Sequence, residues 1–363
     1  KYPMKKILFL CPYPINCAAG QRLKFEPHFQ YLADNGFDIT FNSFMSKQLW
    51  DIAYKDGHLL KKILLTLACF LRRVATIVSL RQYDAVYIFM YVVPLGPTIF
   101  ERLVCLVSKK IIYDIEDNVL GQDNQSKRFI KRFFNSNKRY KLLIKSAQEI
   151  IASTPALANE CQVISKKENA TCILPTLDRA RFNPRLLSNP ANEMITLGWT
   201  GTFSSKKYLE IIIPHLEELS REINFKLLII GNFEFHHPFL NIEVLQWSES
   251  EEIAQLHLID IGLYPLPNDL WIAGKSGLKT LQYMAIGIPS VSSKFGNIAN
   301  IVIDGVEGFL VENNREWVSR LHDLILNHSS REQMGVKARE KFELNFSQDS
   351  NQDTYLNILE KVI

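Results

Sequence analysis

Nothing in this sequence pairs its cysteines. The six, Cys11, Cys17, Cys69, Cys105, Cys161 and Cys172, form no C-x-x-C motif and lie mostly among apolar residues, so neither a zinc knuckle nor a disulfide framework is expected. That usage fits a reducing compartment. No uncharged apolar run is long enough to cross a bilayer, because the best candidate, residues 59 to 80, is broken by Lys61, Lys62, Arg72 and Arg73. The apolar run Ile7 to Cys11, behind Met4-Lys5-Lys6, is too short for the core of a signal peptide; it reads as a first buried strand, with Met4 as the expected start. The turn after it, residues 11 to 22, holds Gly20 alone, not the closely spaced glycines with which a dinucleotide fold cradles pyrophosphate, and this argues against a nicotinamide or flavin site. No Walker sequence, internal repeat or recognisable nucleic-acid module is present, and nucleic acid is not an expected partner.

What is present describes an ordinary globular chain of more than one domain. With 363 residues, 47% hydrophobic and 22% charged, and its 16 Gly and 15 Pro scattered, disorder is not expected and two cores are. The net charge of +4 hides an asymmetry: residues 1 to 190 carry 28 Lys and Arg against 15 acids, residues 191 to 363 carry 14 against 23. The halves are therefore +13 and −9. A basic half suits an anionic partner or an attraction between domains. Apolar strand patterns recur at 6–11, 37–41, 84–89, 110–113 and 148–153, alternating with helical spacing, and the alternation restarts at 194–198, 225–231, 242–245, 261–264, 290–292 and 308–311. A first helix is expected from about Gln21 through Leu32, ended by Asn35-Gly36. Pro175, Asp178, Pro184 and Pro190 mark a boundary between the two sets. Residues 59–80 and 127–145, the latter around Phe129, Phe133 and Phe134, mix basic and apolar residues at helical spacing; they suit an anionic membrane surface, or equally a core helix whose Lys and Arg reach solvent.

Four segments carry candidate chemistry. Gly20, with Arg22 beside it, offers a close backbone approach and a cation, although a plain loop glycine would look the same. Asp114, Glu116 and Asp117 follow an apolar strand and bring acids to a sheet edge, where open α/β sheets place ligands; they suit sugar hydroxyls or a divalent cation, against the alternative of helix capping. No Asp/His cluster completes a metal site. Gly201 and Thr202, with the hydroxyls after them and Lys207, suit phosphate at a helix start without a Walker sequence, or an ordinary helix cap. Lys275 and Lys279 stand four positions apart ahead of Gln282, and at helical spacing their repulsion asks for an anion.

Residues 274–311 make the sequence recognisable. Gln282-Tyr283-Met284-Ala285-Ile286-Gly287-Ile288-Pro289, then Gly296 and Asp304-Gly305-x-x-Gly308-Phe309, resemble the retaining GT-B glycosyltransferases, family 4-like (glycosyl transferases group 1), with further correspondences at Pro175 to Asp178, Phe182, Gly198 to Gly201 and Gly36. The resemblance implies two facing Rossmann-like domains with the active site in the cleft: an acceptor-side domain over 1–185, a nucleotide-sugar domain over 186–345, and a C-terminal helix over 346–363 crossing back to the first. It implies metal-independent, hexosyltransferase-like transfer from a nucleotide-diphosphate sugar, with no further cofactor. The acceptor would be a glycan or a lipid-linked sugar in polysaccharide or glycolipid synthesis, in the cytoplasm or peripheral on the inner face of the cell membrane. Lys207, Lys279, Asp114 and Glu116 would carry the chemistry, and Gly20, Gly201, Thr202, Lys207, Lys275, Lys279 and Gln282 would bind the donor. The family's two glutamates align here with Gly274 and Gln282, its diphosphate-binding Arg with Thr202, and its His-Asp with Glu116-Asp117. Those departures support an alternative: a non-catalytic sugar-nucleotide-binding or scaffold protein.

Overall fold

A computed structural model describes residues 3–53, 55, 57–94, 98–116, 137–184, 194–268 and 274–363. Asp117, Asn118 and the residues around Phe129, Phe133 and Phe134 lie outside these. The chain divides into two compact units, Lys1–Thr176 with Asn351–Ile363, and Leu177–Ser350.

In the first unit β1 (Lys5–Cys11), β2 (Phe37–Ser43), β3 (Ala85–Phe89), β4 (Ile111–Ile115), β5 (Glu149–Ala152) and β6 (Ala170–Cys172) form a parallel sheet in the order β2-β1-β3-β4-β5-β6. Alternation along each strand sends side chains to opposite faces. Leu8, Leu10, Val86 and Ile88 enter one core with Val104 and Leu143, while Ile7, Phe9, Tyr87 and Ile112 enter another with Leu32. Helical residues cover both faces, so β3 reads as an unbroken apolar run, β1 as one after Lys5 and Lys6, and β4 as one interrupted by Asp114. The chain's last helix returns to this unit: Tyr355, Ile358, Leu359 and Val362 join the second core, and the Lys361 ammonium lies 2.5 Å from Glu149 Oε1.

The first helix departs from expectation. It is broken into Ala19–Arg22, a 3-10 turn Glu26–His28 and Phe29–Asp34. Pro27 sits in the turn, and a proline both lacks the N–H an α-helix needs and disfavours helical backbone before it.

The second unit repeats the architecture with β7 (Thr196–Gly201), β8 (Lys226–Gly231), β9 (Ile242–Gln246), β10 (Ile261–Tyr264), β11 (Ser290–Ser293) and β12 (Gly308–Val311), parallel in the order β12-β11-β10-β7-β8-β9. Leu197, Trp199, Leu227, Ile229 and Leu263 pack with Leu216, Trp317 and Leu321 on one face. On the other, the helix Leu278–Ala285 lays Tyr283 against the sheet, its hydroxyl 3.2 Å from the Gly198 carbonyl. Arg339 donates to the carbonyls of Arg179, Phe182 and Ala285, tying residues 179–182 to this unit.

The helix Leu59–Val78 of the first unit corrects one expectation about its charges. Arg73 is 1% exposed, donating to Asn42 Oδ1 at 2.9 Å and to the Cys11 carbonyl at 3.0 Å, and burial lowers its pKa to about 10. Arg72 reaches the carbonyls of Ser43 and Phe44 at 2.9 and 2.7 Å. Both guanidiniums therefore fasten the helix to the ends of β1 and β2; Arg73 is buried away from any surface partner, whereas Arg72 stays exposed. Arg73→Met keeps the stem and strands the Asn42 acceptor, so urea unfolding is expected to show a loss of about 1–3 kcal/mol; a change below about 0.5 kcal/mol would show the anchor to be dispensable.

Candidate functional site

In the second unit, candidate residues gather where β7 and β10 end. Parallel neighbours in the sheet, these strands set Trp199 beside Leu263, the residue before Tyr264. The helix Leu278–Ala285 then places the Lys279 ammonium 4.4 Å from the Trp199 ring centroid and 5.3 Å from that of Tyr264. Burial first, and the charge of Lys275 second, lower the Lys279 pKa to about 7. The residue as a whole keeps partial exposure, so the desolvation acts on the amine end, pressed among rings. Attraction to two aromatic faces offsets part of that cost. Tyr264 is pushed up by burial and then by Tyr208, over whose ring the Lys207 ammonium stands at 5.2 Å. Lys207 thus meets the cluster through Tyr208, and Lys275 meets it through its charge on Lys279.

Gly201, Thr202 and Gln282 are placed differently from Lys279. A Cβ at Gly201 would come within 2.3 Å of the Trp199 indole and 2.6 Å of Ser205 Oγ, so glycine here lets Trp199 pack beneath the turn. The Thr202 N–H donates to Ser205 Oγ at 3.0 Å and the Phe203 N–H to Asn232 Oδ1 at 2.8 Å, so side chains already cap both groups. Gln282 is buried, and its Nε2 donates to Glu252 Oε1 at 3.1 Å while Arg181 donates to Glu252 Oε2 at 2.9 Å. Trp199, Tyr208, Tyr264, Glu252 and Arg181 were not singled out from the sequence. Trp199, two residues before Gly201 on a buried strand, was the one visible signal.

In the first unit Asp114, on β4, is fully buried and takes the Lys24 ammonium and the Tyr87 hydroxyl. Burial raises its pKa, while Lys24 and the Tyr87 hydrogen bond pull it back. Glu116, just beyond β4, donates its N–H to Met90 Sδ at 3.1 Å and lays its carboxylate on Gly20: a Cβ there would meet Glu116 Oε2 at 2.1 Å. Gly20 is the second residue of the short helix Ala19–Arg22, so the glycine admits a carboxylate of this chain to its first turn. The loop before it is braced by Gln21, which bonds the Tyr13 backbone in both directions and Glu26 at 2.9 Å. Among the described residues, no group of three or more His, Cys, Asp and Glu side chains could hold a metal ion.

Residues 188–341 match the model of the family Glycosyl transferases group 1. An uncharacterized glycosyltransferase of Methanocaldococcus jannaschii is 26% identical over 168 residues, 44% of this chain and 46% of that protein. The spore coat protein SA of Bacillus subtilis is 28% identical over 180 residues, 45% of this chain and 48% of that protein, so the chain spans about half the length of the curated relatives it matches. Among solved structures, a glycosyltransferase from Rickettsia africae superposes with a TM-score of 0.71 at 15% identity, covering 99% of both chains. The fold is therefore the GT-B fold.

Two measurements test the site as built. Lys279 binds a proton more weakly folded than unfolded, so between about pH 7 and its ordinary 10.5 the unfolded chain holds more protons and stability rises with pH. Lys279→Met should flatten that rise in a series of unfolding curves; identical slopes would show that the amine is solvated. Asp114→Asn leaves Lys24 buried without its carboxylate and should cost about 3–5 kcal/mol of stability, whereas a folded, equally stable variant would show that the pair does not hold the unit.

Proposed function

We propose that this chain, with the GT-B fold and a Glycosyl transferases group 1 segment over residues 188–341, is a metal-independent glycosyltransferase that takes a sugar from a nucleotide-diphosphate donor with retention of configuration. The observation that carries the proposal is the Lys279 ammonium, held between Trp199 and Tyr264 with Lys275 repelling it. Two lysines kept together at that cost are what an anionic diphosphate relieves. A solved relative, the Anabaena protein that superposes with a TM-score of 0.65, carries UDP and glucose, which supports the same donor class here.

In this reading Lys279 and Lys207 neutralise the diphosphate and Lys275 adds to the field. Gly201 and Thr202 shape the turn beneath it, and Gln282, its amide oriented by Glu252, serves the ribose. The acceptor hydroxyl attacks the anomeric carbon, a new C–O bond forms there as the bond to phosphate oxygen breaks, and the hydroxyl proton leaves with the departing diphosphate. Charge grows on phosphate oxygen in that step, so ammonium groups stabilise the transition state more than the ground state. Glu116 and Gly20 are assigned to sugar or acceptor hydroxyls, with Asp114 fixing the strand that presents Glu116. The acceptor is a glycan or lipid-linked sugar of cell-surface polysaccharide or glycolipid synthesis, which places the chain in the cytoplasm, at the inner face of the cell membrane. One observation favours the second reading, a non-catalytic sugar-nucleotide binder: Gln282 is committed to Glu252. A donor-dependent turnover assay separates the two.

A panel of nucleotide sugars read by thermal shift identifies the donor, since a ligand that binds only the folded state raises apparent stability. Lys279→Met should then weaken binding and turnover by roughly tenfold to a hundredfold, the range of a charge-assisted contact. Wild-type affinity should fall as pH rises through about 7, where Lys279 loses its proton, and the Lys279→Met variant should lose that dependence. A folded Lys279→Met, Lys207→Met double variant with normal donor affinity and turnover would remove both lysines from the reaction.

A further inference from the structure

The helix Leu59–Val78 buries one face, with Cys69, Arg73 and Ile77 at its centre, and leaves a second apolar face bare. Leu60, Leu64, Leu67, Leu71, Val74 and Val78 repeat at spacings of four and three residues and are 47–78% exposed. Residues at that spacing share one face of a helix, and at 1.5 Å per residue the stripe runs roughly 27 Å. The neighbouring helix Ile99–Val107 packs beside it and adds Leu103 and Leu106, the latter 80% exposed. Isolated exposed leucines are ordinary, but six apolar residues on one face of a helix, with two more exposed on the helix packed beside it, are not.

Charge decides what covers it. The helix Leu59–Val78 contains no Asp or Glu and carries Lys61 and Lys62 near its start. Arg73 is buried on backbone carbonyls, the exposed Arg72 reaches the carbonyls of Ser43 and Phe44, and Lys62 donates to the Lys55 carbonyl; Lys61 on this helix and Arg102 on the neighbouring one are further exposed cations beside the strip. The four-three spacing would also suit pairing with a second copy, yet such a pair wants acids flanking the seam to meet Lys61, and this helix has none. An anionic lipid surface supplies both requirements: acyl chains for the strip and negative headgroups for the lysine. The helix is not a span, because no helix among the described residues is long and apolar enough to cross a membrane.

We propose that the outer faces of the helices Leu59–Val78 and Ile99–Val107 form a lipid-docking surface, on which the chain lies flat against an anionic bilayer with the stripe inserted among acyl chains and Lys61 at headgroup level. The proposal gives the membrane contact of the transferase reading a place, but it does not depend on donor chemistry. Insertion of apolar side chains carries most of the affinity, with the lysine selecting the charge of the surface.

Flotation of the full chain with phosphatidylglycerol-rich and with pure phosphatidylcholine vesicles, at low and high salt, tests it. Wild type should float with the anionic vesicles, and high salt should weaken that binding without abolishing it. The Leu67→Gln, Leu71→Gln double variant should lose at least about tenfold in partitioning, since each leucine forfeits its burial, while its melting temperature and its donor-induced thermal shift stay unchanged. Leu106→Gln alone should give a smaller drop, and Lys61→Gln a loss of roughly fivefold confined to anionic vesicles. Failure of wild type to float, or undiminished flotation of the folded double variant, overturns the proposal. So does light scattering that shows a lipid-free dimer abolished by the same double substitution, which would assign the stripe to a second copy. Loss of the donor shift with flotation intact would instead refute the transferase reading and leave the surface standing.

Discussion

A parallel strand has to be buried on both faces, because the helices that carry the chain back to its start cover each side of the sheet. Along the inner strands of the first sheet this favours apolar side chains and pushes chemistry toward the strands' carboxyl ends. Asp114 near the end of β4 is buried, and the acid is tolerated there because Lys24 and Tyr87 satisfy it. In the second unit the same restriction sets Trp199 and Tyr264 at the ends of adjacent strands, and the next helix brings Lys279 to their rings.

Lys24 and Lys279 differ in what neutralises them. Lys24 is matched by a carboxylate, and that pair closes on itself with Tyr87. Removing one partner of such a pair is costly, yet the intact pair has little left to offer a ligand. Lys279 has aromatic faces in place of a carboxylate, and its proton is held weakly because its amine is buried and, second, because Lys275 is near. A group destabilised in its charged form gains most from an incoming anion, which makes the second cluster the chemically open one.

Strand positions were legible because apolar runs and alternation are local properties: the six strand positions expected after residue 190 all fall on strands of the second sheet. β6 was not, since Ala170–Cys172 is three residues long and sits at the sheet edge without a run to announce it. The broken first helix could have been read from Pro27, which lies inside the segment expected to be helical. Partners were the illegible part. Arg72 and Arg73 look alike in sequence, as do Lys61 and Lys62, but whether a cation reaches a carbonyl, a ring or solvent depends on strands far away along the chain. Glu252 is 30 residues from Gln282, and no spacing rule connects them.

That last contact bears on what the unusual residue choices do. Where the family resemblance implies a carboxylate at position 282, this chain has an amide, and the carboxylate that meets it comes from Glu252 on another element. Arg181 takes the other oxygen of Glu252, so the charge of that carboxylate is matched at its own position. The position aligned with the family's first glutamate is Gly274, next to Lys275. With Gly274 and Gln282 at the two positions where the resemblance implies acids, neither position offsets the charge of Lys275, which adds to burial in lowering the proton affinity of Lys279. An anion brought to Lys279 offsets its burial and its repulsion by Lys275, and under the proposed transferase reading that anion is the diphosphate of the donor.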